Sequence, residues 1–278
     1  MRIMGLGVAL LFTAHAALAG IKYEFIQTSR SDSDSNRPTD LTARAVLDGE
    51  RSRVDFISGN AYPPGTYVIS TDGLKKMLFV DPTQKLYTEV NAMSIAAAIG
   101  TSNITIENFV PTVTKLPDTI EVAGLTGEHY RLTMTYDITV KFGAMPLKQR
   151  VRTEIDKWTT VRFGDAGDAV SSTMITTGNP KIDEIIAAES TKIKGFPLKQ
   201  TVKITKLNQM TGPAPVKSEL KIPSVRTSMR EMTVTSISET TIADKSLFTV
   251  PAGYRKNDFA SQVQKTQTQV LSVEPAAQ

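Results

Sequence analysis

The longest alternation of apolar and polar residues in the chain covers residues 128–142, which read EHYRLTMTYDITVKF. Every even position from Tyr130 to Phe142 is apolar, and the odd positions from His129 to Lys141 are polar or charged. A period of two held over this length predicts an antiparallel strand with one buried and one solvated face. The strand is long for a globular protein, which favours a strongly curved sheet or barrel. We expect His129 on the solvated face.

A second alternating segment, Leu147–Trp158, follows a turn at residues 143–146, so the two segments form a predicted hairpin. Shorter alternating segments lie upstream. Asp-Gly pairs at 48–49 and 72–73 separate some of them, and such pairs favour tight turns because glycine adopts positive φ without strain. The region 20–90 is therefore predicted to be an antiparallel meander.

Two short helices are predicted to interrupt this β pattern. The first covers Asn91–Ile99. The second follows Asn179, with Pro180 at the first helical position and Gly195 after the end. Its apolar stripe needs an apolar surface to cover, and it consists of Ile182, Ile185, Ile186 and Ile193. The predicted fold class is mainly β with a few helices (α+β), a curved antiparallel sheet or incomplete barrel covered by short helices.

Residues 1–19 are typical of a secretory signal peptide. A basic residue precedes an apolar segment that ends in an Ala-x-Ala pattern, and we expect cleavage after Ala19. An uncleaved membrane anchor is the alternative, but Thr13 and His15 interrupt the apolar run, which is also short for a membrane span. We therefore expect a soluble, exported protein of the periplasm.

The rest of the chain is expected to form a single β-rich domain at residues 20–256, followed by a flexible polar tail at 257–278. The 278 residues include 35 Thr, 21 Val and 21 Ile, and this β-branched content favours strands. The absence of cysteine excludes disulfides, thiolate metal sites and N-terminal lipidation. A net charge of +4 with scattered basic residues argues against nucleic-acid binding.

Candidate catalytic groups are few. His129 is the one histidine left after signal cleavage, and a solvated strand position gives it no nucleophile to activate. No Gly-x-Ser-x-Gly turn or phosphate-binding glycine loop occurs. The segment Asp32–Asn36 has oxygen ligands at alternate positions, but Arg37 and Ala43 occupy places where a calcium loop requires Gly and Glu. We expect no catalytic residue, metal site or cofactor, and interpret the protein as a non-enzyme.

Three segments carry a resemblance to known proteins: Arg53–Phe56 (RVDF), residues 72–89 (DGLKKMLFVDPTQKLYTE) and Leu247–Lys256 (LFTVPAGYRK). Together they resemble an uncharacterised family of exported bacterial proteins, which is similar in turn to the periplasmic lipoprotein-carrier (LolA-like) superfamily. The resemblance covers residues 21–256. It implies an incomplete barrel wrapped over helices, whose apolar concave face takes acyl chains or another hydrophobic ligand. The inward arginine with which those carriers hold a lid helix has no match identified here.

The sequence leaves two arrangements open, a solid core and a sheet that encloses a cavity. With a cavity, the protein is a binding or carrier protein for a hydrophobic ligand such as a lipid or acyl chain. The long strand would line the cavity and the second helix would form its lid, through Tyr130, Leu132, Met134, Tyr136, Ile138, Ile182, Ile185 and Ile186. With a solid core, it is a ligand-free interaction or structural protein that meets other envelope proteins through its polar sheet face.

Overall fold

In the computed structural model, the described residues are 20–32, 38–73, 75–91, 104–142, 145–164, 180–209 and 225–258. Their strands are β1 Gly20–Ser31, β2 Thr39–Asp48, β3 Arg51–Gly59, β4 Tyr67–Ser70, β5 Lys76–Asp81, β6 Leu86–Asn91, β7 Ile104–Val122, β8 Leu125–Phe142, β9 Met145–Thr160, β10 Phe196–Gln209, β11 Val225–Thr240 and β12 Arg255–Asn257. One α-helix, α1, spans Pro180–Ser190, and two 3₁₀ turns span Val161–Phe163 and Lys245–Phe248.

All of these strands belong to one sheet with the order β12-β6-β5-β4-β3-β2-β1-β11-β10-β9-β8-β7. Neighbours are antiparallel except β12, which runs parallel to β6. The sheet is large, curved and unclosed, so the predicted fold class is confirmed. β1 lies near the middle, between β2 and β11. No helix in the described ranges is both long enough and apolar enough to cross a membrane.

One face of the sheet, here called the inner face, carries two separate apolar clusters. Strand register places both on the same side, because Phe25 pairs with Val234 and Met232 pairs with Gln200, two residues from Val202. Cluster 1 consists of Ile21, Tyr23, Phe25, Leu41, Ala43, Ala45, Leu47, Phe56, Phe163, Phe196, Leu198 and Val234. Cluster 2 consists of Tyr130, Leu132, Met134, Ile155, Ile182, Ile186, Ile193 and Val202.

The chain that follows β11 packs on the opposite, outer face of strands β2–β6. Phe248 is buried there in an apolar cluster with Val46, Tyr67, Ile69 and Val80. Arg53 connects this segment to the sheet. Its Nη1 donates to the Leu247 carbonyl at 3.2 Å, and its guanidinium lies 3.8 Å from the Tyr67 ring centroid. Residues from all three segments that carry the family resemblance therefore meet on the outer face, among them Arg53, Val80 and Phe248.

The predicted strands and the second predicted helix are present. The alternation at 128–142 lies within β8, and the second helix is α1. Gly195 follows α1 with a φ of 91°, a conformation that side chains with a Cβ rarely adopt. The helix predicted at 91–99 lies outside the described residues except for Asn91, which ends β6.

Sequence reasoning did not predict β7, and β7 overturns the expected exposure of His129. This side chain is only 4% exposed, because a bulge in β7 brings Asp118 over it. Its Nδ1 lies 2.8 Å from the Asp118 carboxylate, and its Nε2 lies 2.9 Å from Oδ1 of Asp156. The imidazole also stacks on Trp158 with 4.2 Å between ring centroids. The prediction that His129 is solvated is therefore wrong.

A second bulge in β7 places a side chain over Asp137, another residue of the face that was expected to be solvated. Asn108, which adopts a φ of 53° in that bulge, donates from Nδ2 to Oδ2 of Asp137 at 2.8 Å. Arg150 donates from Nε to Oδ1 at 2.9 Å. These hydrogen bonds, that from Arg150 first, lower the pKa of the buried Asp137 carboxyl to about 2.

Candidate functional site

The predicted ligand stripe of β8 points to the inner face. Tyr130, Leu132 and Met134 are buried there in cluster 2. Side chains buried this deeply contact protein atoms on all sides, so this part of the stripe is packed and is not the wall of an open cavity. Burial also raises the pKa of the Tyr130 phenol, which keeps the stripe neutral.

Helix α1 covers the stripe with two of its three predicted isoleucines. Ile182 and Ile186 are one helical turn apart and both pack into cluster 2. Ile185 points elsewhere and is 44% exposed. Glu189, near the end of α1, accepts a hydrogen bond from the Val113 backbone N–H at 3.3 Å, so the helix also contacts the edge strand β7.

The stripe is less covered beyond Met134. Tyr136 and Ile138 are half-buried. The Tyr136 ring lies 5.9 Å from that of Phe109 on β7, and burial raises the pKa of its phenol. This end of the inner face therefore presents apolar and aromatic groups that α1 does not bury.

The inner face has a further apolar surface that extends cluster 1, and we call it the aromatic wall (Tyr62, Phe79 and Phe56, which also belongs to cluster 1). Phe56 and Tyr62 stack with 4.2 Å between centroids and 8° between planes. The centroid of Phe79 lies 6.3 Å from that of Tyr62. Tyr62, on the loop between β3 and β4, is 40% exposed. The wall is thus ordered by stacking and still accessible.

Polar side chains occupy the inner face between the two clusters. Gln200 pairs with Met232 on one side and with Lys157 on the other. It is 7% exposed, and its Oε1 has no hydrogen-bond partner among the residues that the structure describes. Lys157 is also buried and has a partner of its own. Arg230 lies two residues before Met232 along β11 and therefore shares this face.

The Arg230 guanidinium is a cation without a described counter-ion. It is half-buried, and burial lowers its pKa, whereas the nearby Tyr62 phenol acts in the opposite direction. No ion pair joins it to a carboxylate of the described residues. Withdrawing a charge from water is unfavourable unless a partner compensates for it. Arg230 and the aromatic wall therefore form a surface with one unsatisfied positive charge beside apolar rings.

Sequence reasoning missed this second surface, although one signal of it was readable. In β11 the residues that face inward follow the order Ser228, Arg230, Met232 and Val234. A charge in phase with apolar neighbours marks a cation on the buried face of a strand. The position of Tyr62 carries no comparable signal, because loop geometry places it over the sheet.

Comparison with known proteins finds similarity at the level of structure. No family profile and no curated protein matches the chain. Among solved structures, the chain is similar to a LolA superfamily protein from Nitrosomonas europaea, with a TM-score of 0.30 and 8% sequence identity. The alignment covers 84% of this chain and 90% of that chain.

Proposed function

We propose that the protein binds a hydrophobic ligand on its inner face and acts as a binding or carrier protein of the bacterial envelope. The observation that supports this is the division of the inner face into two unmerged apolar clusters. A domain usually has one contiguous core with smaller satellite clusters, whereas clusters 1 and 2 are both large. The export signal predicted at residues 1–19 is the basis for the envelope location.

The packed stripe implies that ligand entry displaces α1. Two isoleucines, Ile182 and Ile186, hold the helix on cluster 2. Burial of each contributes about 1.5–3 kcal/mol, whereas a buried acyl methylene contributes about 0.8 kcal/mol. An acyl chain that buries about four to eight methylenes therefore matches the contact it replaces. Medium and long acyl chains are the expected ligands.

Native mass spectrometry of the protein purified from its host envelope, followed by solvent extraction, tests the proposal directly. We expect a reproducible added mass of lipid size that the extract then identifies. A clean apoprotein mass, with no shift after addition of fatty acids or lysolipids, contradicts it. That result would favour the alternative, a ligand-free interaction or structural protein that uses its outer face.

Movement of α1 can be tested with an engineered disulfide, since the native chain has no cysteine to interfere. Val113→Cys with Glu189→Cys links β7 to α1 where the two residues are hydrogen-bonded. Ile26→Cys with Thr42→Cys is the matched control, because it links the paired strands β1 and β2 and leaves α1 free. We expect oxidation to abolish acyl-chain loading in the first variant only, and reduction to restore it. Equal loading of both oxidised variants contradicts a mobile helix.

A further inference from the structure

The inner face contains polar groups that an apolar ligand alone leaves unsatisfied. Arg230 lacks a described counter-ion, and within the described part of the chain no donor reaches the buried Oε1 of Gln200. A buried polar atom without a partner destabilises the folded state, and an unpaired buried charge does so more strongly. Both effects disappear if a bound molecule supplies an anion to Arg230 and a donor to Gln200.

Strand pairing places the two residues diagonally opposite each other on the inner face. Gln200 pairs with Met232, and Arg230 lies two residues before Met232 on β11. Diagonal cross-strand neighbours of this kind are about 7–8 Å apart. Apolar surfaces lie on both sides, cluster 2 around Val202 and the aromatic wall around Tyr62. A chain-bearing molecule can therefore place its head between the clusters and its tail along either surface.

We propose that the ligand is an anionic amphiphile, whose phosphate or carboxylate pairs with Arg230 and whose hydroxyl donates to Gln200. This inference rests on the proposed function and adds the class of head group. A guanidinium can give two parallel N–H···O bonds to a phosphate or a carboxylate. Lys157, which is buried and already has a partner, is not needed for the pairing.

The first consequence concerns stability without ligand. Arg230→Met keeps an unbranched apolar stem and removes a half-buried charge that has no described counter-ion. We expect the ligand-free variant to be at least as stable as the wild type, with an equal or higher Tm. Arg226→Met is the matched control, since Arg226 is exposed on the same strand. A large loss of stability in Arg230→Met alone would show that Arg230 has a structural role and would overturn the proposal.

The second consequence concerns ligand choice, measured by titration calorimetry with four probes of equal acyl-chain length. The probes are a lysophosphatidylglycerol, a fatty acid, a lysophosphatidylcholine and a neutral monoacylglycerol. We expect the wild type to prefer the two anionic probes, with Arg230→Met weakening them about tenfold or more and leaving the monoacylglycerol unchanged. If Arg230→Met weakens the binding of lysophosphatidylglycerol more than that of the fatty acid, the head group is a phosphate with a glycerol hydroxyl. The reverse result identifies a carboxylate.

The outcomes separate this inference from the proposed function. If all four probes bind the wild type equally and Arg230→Met changes none of them, the inference is wrong and hydrophobic binding stands. If no probe binds either protein, both the inference and the proposed function fail. If Arg226→Met weakens the anionic probes as much as Arg230→Met does, the effect is one of overall charge, and the site at Arg230 is ruled out.

Discussion

His129 and Asp137 occupy the face of β8 that alternation assigns to solvent, yet both are buried. The alternation was interpreted correctly, because Tyr130 and Leu132 do face the inner side. The error arose from β7, whose bulges place Asp118 and Asn108 over the outer side. The alternation within one strand predicts which of its side chains share a face. It does not predict whether side chains of another strand cover that face.

The role of His129 can be tested by substitution. We expect His129→Ala to lower the free energy of unfolding by about 2–4 kcal/mol, because it removes two hydrogen bonds to carboxylates and the stack on Trp158. Arg131→Ala is the control, since Arg131 contacts the same Asp156 from an exposed position and should cost less than about 1 kcal/mol. Chemical denaturation measures both. Equal small losses would contradict a structural role for His129.

Among the elements, those with a local signal were predictable and those defined by distant partners were not. β8, β9 and α1 follow from alternation, turn residues and helix-start residues that lie within each segment. β7 contains two prolines and two bulges that break its alternation, so its identity comes from pairing with β8. β12 has three residues and exists only because it runs beside β6. The candidate site divides in the same way, since the β8 stripe was predictable and the aromatic wall was not.

The segment after β11 makes a testable contribution as an element. Phe248→Ala removes the ring that fills the outer cluster beside Tyr67 and Ile69, and we expect a loss of about 3–5 kcal/mol in the free energy of unfolding. Lys245→Ala, in the same 3₁₀ turn, removes only an exposed ion pair to Asp48 and should cost less than about 1 kcal/mol. A loss in Phe248→Ala no larger than in the control would show that the segment is not part of the folded core.

For the whole molecule, the inner face is mainly apolar, whereas the outer face of β8–β9 is stabilised by charge. Its ion pairs join Arg131 to Asp156 and Arg150 to Asp137. The pKa of Asp137 is about 2 in the folded protein and roughly 3.9 in an unfolded chain. Its contribution to stability is therefore fully present above about pH 4 and is lost as the pH falls towards 2.

This acid dependence can be measured by unfolding the protein at a series of pH values between neutral and pH 2. Asp137→Asn should flatten the fall in stability between about pH 4 and pH 2. Arg150→Gln should raise the folded pKa of Asp137 towards its unfolded value and therefore make the fall smaller and end it at a higher pH, since Arg150 is the main cause of the shift. Arg152→Gln is the control, because Arg152 is exposed and pairs with Glu154 instead. An unchanged acid profile in both Asp137→Asn and Arg150→Gln would contradict the assignment.

The place of β1 in the sheet also has a consequence for the order of folding. Residues 20–31 pair on one side with β2, which follows at once, and on the other side with residues 225–240. Synthesis proceeds from the amino end, so the early meander β1–β6 can form first. The second edge of β1 stays unpaired until β11 is synthesised some two hundred residues later. An unpaired edge of alternating apolar residues is a template for association with other chains. The unpaired edge of β1 is therefore a site at which the nascent chain can associate with other chains until β11 has been synthesised.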